Sequence, residues 1–96
     1  MKDPKEVEAF YERLRDELEN STDWPSKYLY KFIVKSDESK VQAIEQIFDN
    51  TGAVISKKVS SGGKYTSVSV EVQMESPEAV IVKYKEVSKI KGVISL

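Results

Sequence analysis

The chain predicts an α+β domain: one four-stranded antiparallel sheet with two helices on one face, preceded by an added N-terminal helix. Three observations carry that expectation. The segment Ser60 to Val70 joins a glycine-bearing turn to strict two-residue alternation. After residue 25 the apolar period switches in the order β-α-β-β-α-β. Two segments, at Asp3-Pro4-Lys5-Glu6 and Ser76-Pro77-Glu78, carry a cap, a proline and an acid in the order that starts a helix.

The alternating segment defines two faces. Val68, Val70, Val72 and Met74 fall on one, and Tyr65, Ser67, Ser69, Glu71 and Gln73 on the other. A sheet so patterned needs cover on the first side and leaves the second free. Tyr28 to Lys35 reads as the preceding strand of the same kind, with Tyr28, Tyr30, Phe32 and Val34 inward and Leu29, Lys31, Ile33 and Lys35 outward. Ala53 to Val59 is a further strand, and Lys57 and Lys58 suit an edge that must resist pairing with other chains. Ser60-Ser61-Gly62-Gly63 then makes a hairpin turn needing positive φ. An anion-binding nest is the less favoured reading of that run. Val93 to Leu96 closes the sheet as a short strand.

The helices follow from period and punctuation. Asp3 caps the first, with Glu6 placed to reach back, and Val7, Phe10, Leu14 and Leu18 recur on one face until Asn20-Ser21-Thr22-Asp23 ends it. A helix of that length is marginal alone in water, so its stripe meets its own domain or a partner. Ser36 reads as the next cap, with Asp37 and Glu38 favouring the positive end of the helix dipole. Val41, Ile44, Ile47 and Phe48 form the buried stripe there, and Gly52 is the stop. Val80, Tyr84, Val87 and Ile90 are the stripe of the last helix, broken by Gly92. This is the ferredoxin-like arrangement, with residues 1–24 as helix and entry segment and 25–96 as the domain proper.

Composition narrows the chemistry. The chain has 96 residues, 40% hydrophobic and 32% charged, which suits one folded domain. It has no cysteine and no histidine, removing thiolate sites and the commonest general base and metal ligand. No cofactor or metal pattern is read, and the expectation is a protein that is not an enzyme. No apolar run approaches the roughly 20 residues that span a bilayer, so a cytoplasmic location is expected, with no membrane. The net charge of −1 hides an asymmetry: residues 1–24 hold four basic and eight acidic side chains, residues 25–96 eleven and eight. That pattern reads as a solvated acidic helix beside a mildly basic body, or as a helix that docks on it.

The topology hosts several functions, each of which needs particular residues. RNA recognition needs aromatics at two stacking positions, but Tyr65 is followed by Ser67, Ser69 and Glu71. Nucleic acid is therefore a minor alternative. Acyl-phosphate hydrolysis needs an arginine and a backbone cradle in the first strand–helix loop, where this chain has Lys35-Ser36-Asp37-Glu38-Ser39. The outward residues Lys31, Ile33, Tyr65, Ser67, Ser69 and Glu71 are small and mixed, and read as an interface for a partner or a second copy. The N-terminal helix covering that face within one chain is the competing arrangement. Trp24, beside Pro25, covers the edge of a core or marks an interface.

The run Ser60-Ser61-x-Gly63-x-Tyr65-x-Ser67-Val68-Ser69, with Trp24-Pro25 before the first strand and Tyr84-x-Glu86-Val87 before the last, resembles the YbeD-like bacterial family. The resemblance covers roughly residues 10–96. It departs at Trp24, where Phe-Pro is frequent in the family, and at Gly62, where lysine is common. What it implies is a domain similar to ACT regulatory domains, in a family whose members carry the label of lipoate-binding regulatory proteins. By analogy with ACT domains, which pair through their sheets and bind ligands near the first strand–helix loop, it points to Ser36, Asp37 and Ser39. The acidic character of that loop suits a carboxylate ligand such as lipoate poorly. The expected function is a non-catalytic regulatory module binding a small metabolite, a second copy or a partner through the open face. The alternative is a protein-interaction adaptor using the N-terminal helix.

Overall fold

A computed structural model describes residues 3–96. Helix α1 (Pro4–Ser21) starts where Asp3 accepts a hydrogen bond from the Lys5 amide at 2.9 Å. Strand β1 (Ser26–Lys35), helix α2 (Glu38–Ile47), the hairpin strands β2 (Val54–Val59) and β3 (Tyr65–Met74), helix α3 (Pro77–Ser88) and strand β4 (Ile94–Ser95) follow. The sheet order is β2-β3-β1-β4, with every neighbour antiparallel. The domain is α+β and ferredoxin-like with an N-terminal helix.

The core sits between the inward face of the sheet and the helices. Tyr30, Phe32, Val34, Val68, Val70 and Val72 meet Val41, Ile44 and Phe48 from α2 and Val80, Tyr84 and Val87 from α3. Each fully buried aliphatic or aromatic side chain here contributes about 1.5–3 kcal/mol relative to exposure. Aromatic edges organise the centre, with Tyr30 lying 4.9 Å from both Phe48 and Tyr84. The polar tips are satisfied: Tyr30 donates to the Val80 carbonyl at 2.9 Å, and the hydroxyls of Tyr28 and Tyr84 are 2.7 Å apart.

Helix α1 belongs to the helix layer. Leu18 enters the common core, Tyr11 and Leu14 pack on its margin, and Ile81 of α3 is buried. The helix therefore does not cover the open face of the sheet. The packed stripe is Tyr11, Leu14 and Leu18, continued by the half-buried Val7, rather than one through Phe10, which is 54% exposed. Steps of four, three and four keep a helical face in line, and Phe10 falls on its flank, edge-on to Tyr11 at 5.5 Å.

Other corrections are local. The cap of α2 is Asp37, not Ser36: its carboxylate accepts from the Ser39 amide at 2.9 Å and the Ser39 hydroxyl at 2.7 Å. Ser36 instead turns to Thr66, oxygen to oxygen at 2.9 Å, tying the end of β1 to the start of β3. Strand β1 begins two residues earlier than expected, at Ser26, because β3 pairs with it as far as Met74. Strand β2 begins at Val54, and β4 keeps only Ile94 and Ser95. Ile90 lies beyond the end of α3 and is half-buried at the core's margin. The Trp24-Pro25 peptide is cis.

Candidate functional site

The two-residue period of each strand decides what projects from the uncovered side. Register fixes the rows: Val54, Glu71 and Leu29 form one, and Ser56, Ser69 and Lys31 the next. Lys58, Ser67, Ile33 and Ile94 form the third, and Tyr65 stands opposite Lys35 at the hairpin end. All six residues expected on this face, Lys31, Ile33, Tyr65, Ser67, Ser69 and Glu71, are brought together there.

The face is more apolar and more basic than those six imply. Leu29 is 59% exposed, Val54 66% and Ile94 52%, and none of these is covered by another element. Lys27, Lys31, Lys35 and Lys58 supply its positive charge, against Glu71, which pairs with Lys27 at 3.3 Å. The sequence places Lys57 and Lys58 side by side, a pair suited to protecting an edge. Parity separates them: Lys57 turns to the helix side and pairs with Glu45 at 3.4 Å, while Lys58 joins the open face opposite Ser67. The signal for this was present, since the hairpin turn sets the register and the register sets the face.

At the hairpin end the face dips. Ile33, Lys58, Val59, Ser60, Ser61, Tyr65 and Ser67 line a shallow depression of about 350 Å³. Its rim is held by the turn, where Ser60 accepts from the Gly63 amide at 2.8 Å through its carbonyl and from the Tyr65 amide at 3.1 Å through its hydroxyl. The depression offers one ammonium group and several hydroxyls beside apolar walls.

The first strand–helix loop has a different character. Ser36, Asp37 and Ser39 are exposed neighbours, but their polar atoms are engaged with Thr66 and with each other. Donation from the Ser39 hydroxyl, then from its amide, holds the Asp37 carboxyl below its ordinary range. The arrangement is a helix cap, and its charge is negative.

A second groove runs between α1 and α3, about 370 Å³, with Tyr11, Ile81 and Val82 as apolar lining and Glu12, Arg15 and Lys85 among the charges. The buried phenols offer no base at neutral pH. Burial, first, and neighbouring tyrosines push the Tyr30 and Tyr84 hydroxyls well above their usual range. Among the described residues no three metal-ligating side chains come together, and no helix is long and apolar enough to cross a membrane.

No curated protein and no solved structure matches this chain. A family model does: residues 19–96 match the family described as a protein of unknown function, DUF493, which takes in all four strands, α2, α3 and the last turn of α1. The chain belongs to the DUF493 family.

Proposed function

We propose that this domain is a non-catalytic, cytoplasmic regulatory module, YbeD-like and similar in plan to ACT domains, which binds a small effector on the open face of its sheet. The observation that carries the reading is the uncovered face itself. All three helices pack on the other side, and the basic, apolar-edged depression lies at its hairpin end.

The chemistry of that depression favours a small carboxylate with an apolar body. Lys58 supplies the counter-charge, Ser60, Ser61 and Ser67 supply hydroxyls, and Ile33 and Tyr65 supply the apolar wall. Lipoate has this chemistry, as do medium-chain fatty acids. The Asp37 loop, being acidic and internally bonded, repels such a ligand.

A thermal-shift panel of lipoate, fatty acids and amino acids tests the proposal. A ligand at about 100 times its dissociation constant adds about 2.7 kcal/mol, a rise on the order of ten degrees for a domain of this size. Flat melting curves across the panel overturn effector binding. A melting temperature that rises with protein concentration alone favours a second copy on the face.

A second reading, an adaptor acting through α1, is supported by the α1–α3 groove, where Val82 is more than half exposed. Nucleic-acid binding has the least support, since Tyr65 is the sole aromatic on the outward side of β3.

A further inference from the structure

Strand β1 is ten residues long, and β3 pairs with all of it, from Ser26 opposite Met74 to Lys35 opposite Tyr65. On its other side β4 pairs only with Phe32 and Ile33, followed by one bond from the Leu96 amide to the Lys31 carbonyl at 2.9 Å. From Ser26 to Tyr30, β1 has no strand on that side among the described residues. Alternation fixes which main-chain groups are left. The Lys31 carbonyl points toward β4, so the N–H and C=O groups of Leu29 and Lys27 point the same way, out of the sheet. Those of Tyr28 and Tyr30 point to β3.

We infer that this uncovered edge of β1 is a docking site for an extended acidic segment of a partner protein, which adds a strand beside Lys27, Leu29 and Lys31. Strand addition supplies main-chain bonds, and alternate side chains supply selectivity. Along this edge the outward side chains are Lys27, Leu29 and Lys31, all exposed. A strand laid there sets one of its own side chains opposite each. The complementary pattern is an apolar residue facing Leu29 with a carboxylate at the second position to either side. Lys27 already shares Glu71, but Lys31 stands opposite Ser69 and forms no ion pair among the described residues.

The same charges argue against a second copy of this chain. Antiparallel pairing of two β1 edges about Leu29 sets Lys27 of one copy opposite Lys31 of the other, and like charges directly opposite are destabilising. The inference is independent of the effector reading. That site lies at the hairpin end of the face, around Lys58 and Tyr65, and this one at the far end of β1.

The test is amide hydrogen exchange on the full chain with a short acetylated peptide carrying a central leucine flanked by valines and then glutamates. The expected result is slowed exchange at Lys27 and Leu29, with binding at least about tenfold weaker for the same peptide with lysines in place of the glutamates. Leu29→Pro removes an amide that faces out of the sheet, a position where proline is tolerated, and abolishes binding with the fold retained. Should that variant misfold, Lys31→Glu, at an exposed side chain, serves instead: it weakens the acidic peptide and strengthens the lysine one. Unchanged exchange at Lys27 and Leu29, or equal affinity for both peptides, overturns the inference. So does protection of those amides that grows with protein concentration in the absence of peptide, which gives the edge to a second copy.

Discussion

The indole nitrogen of Trp24 donates to the main-chain carbonyl of Leu18 at 3.0 Å. That carbonyl lies in the last turn of α1, where the helix has no partner of its own to offer. The Ser21 hydroxyl, itself in the last turn of α1, donates to the same oxygen at 3.0 Å, so two donors satisfy that carbonyl and Trp24 alone ties it to the entry segment. Trp24 also packs against the core, and Leu18 is part of it. The helix is thus anchored to the core at its C-terminal end, whereas the Phe10 side chain is exposed. Trp24→Phe keeps most of the packing and removes one of the two donors, so urea unfolding should show a loss of about 0.5–1.5 kcal/mol. Leu18→Ala should cost more, about 2–3 kcal/mol, because it opens the core itself.

Stability at high pH depends on the buried phenols. Tyr30 and Tyr84 titrate near 10.0 in the unfolded chain and well above that when folded, chiefly through burial. Their folded-state pKa is raised, so the contribution is fully present below pH 10 and fades as pH climbs beyond it. Each tyrosine then adds up to about 1.4 kcal/mol of lost stability per pH unit, because only the unfolded state releases the proton. Urea midpoints measured from pH 8 to 11 should be flat and then fall. Tyr30→Phe should start lower at pH 8, having lost a buried donor to Val80, and fall about half as steeply. Equal slopes for the two proteins would mean that another group governs the alkaline limb.

The sheet was legible because period is a direct consequence of strand geometry. Val68 to Met74 and Tyr28 to Val34 landed on the buried side without exception. The stripe of α1 was less legible: Phe10 and Tyr11 are adjacent and both aromatic, and only packing against α3 selects Tyr11. The Lys85 ammonium, 5.4 Å from the Tyr11 ring centre, belongs to that selection and is invisible in local sequence. The cap of α2 slipped by one residue for a similar reason, since Ser36 is drawn away by Thr66, thirty positions along the chain. Alternation within β1 and β3 defines only part of the open face. Val54, Lys58 and Ile94 join it through hairpin and edge register, which local pattern does not state.

The cap itself responds to acid. Asp37 is exposed and its carboxyl is held below the ordinary range by the Ser39 hydroxyl and amide. Its folded-state pKa is depressed, so its contribution is present above the unfolded value and lost as pH falls through the folded one. Asp37→Ala should therefore lower the urea midpoint at pH 7, and the gap from the unaltered protein should close in strong acid. Asp37→Asn, which keeps an acceptor without the charge, should lie between the two at neutral pH.

The hairpin turn separates two adjacent glycines. Gly63 sits at φ +73°, where a side chain is strained, whereas Gly62 does not have positive φ. An added Cβ meets nothing within 4 Å at either position, so backbone conformation alone distinguishes them. Gly63→Ala should cost about 1–2 kcal/mol. Gly62→Ala should be near neutral or slightly stabilising, through the lower entropy of the unfolded chain. Thermal melts of the two variants side by side check this, and a larger loss at Gly62 would contradict the turn geometry.

Lys57 and Lys58 are neighbours in sequence on opposite faces of β2, and they separate stability from binding. Lys57 pairs with Glu45 at 3.4 Å across to α2, with both side chains partly exposed to solvent. Lys57→Gln should therefore cost less than about 1 kcal/mol, as surface ion pairs do, and leave any effector response intact. Lys58 lines the depression on the open face beside Ile33, Tyr65 and Ser67. Lys58→Gln should leave the unliganded melting temperature unchanged and weaken a carboxylate effector by about tenfold or more, the loss of one charge-assisted contact. The two variants measured against the same ligand give a crossed pattern if the open face is the binding side. A ligand shift that survives Lys58→Gln in full would move the effector site off the hairpin end of the sheet.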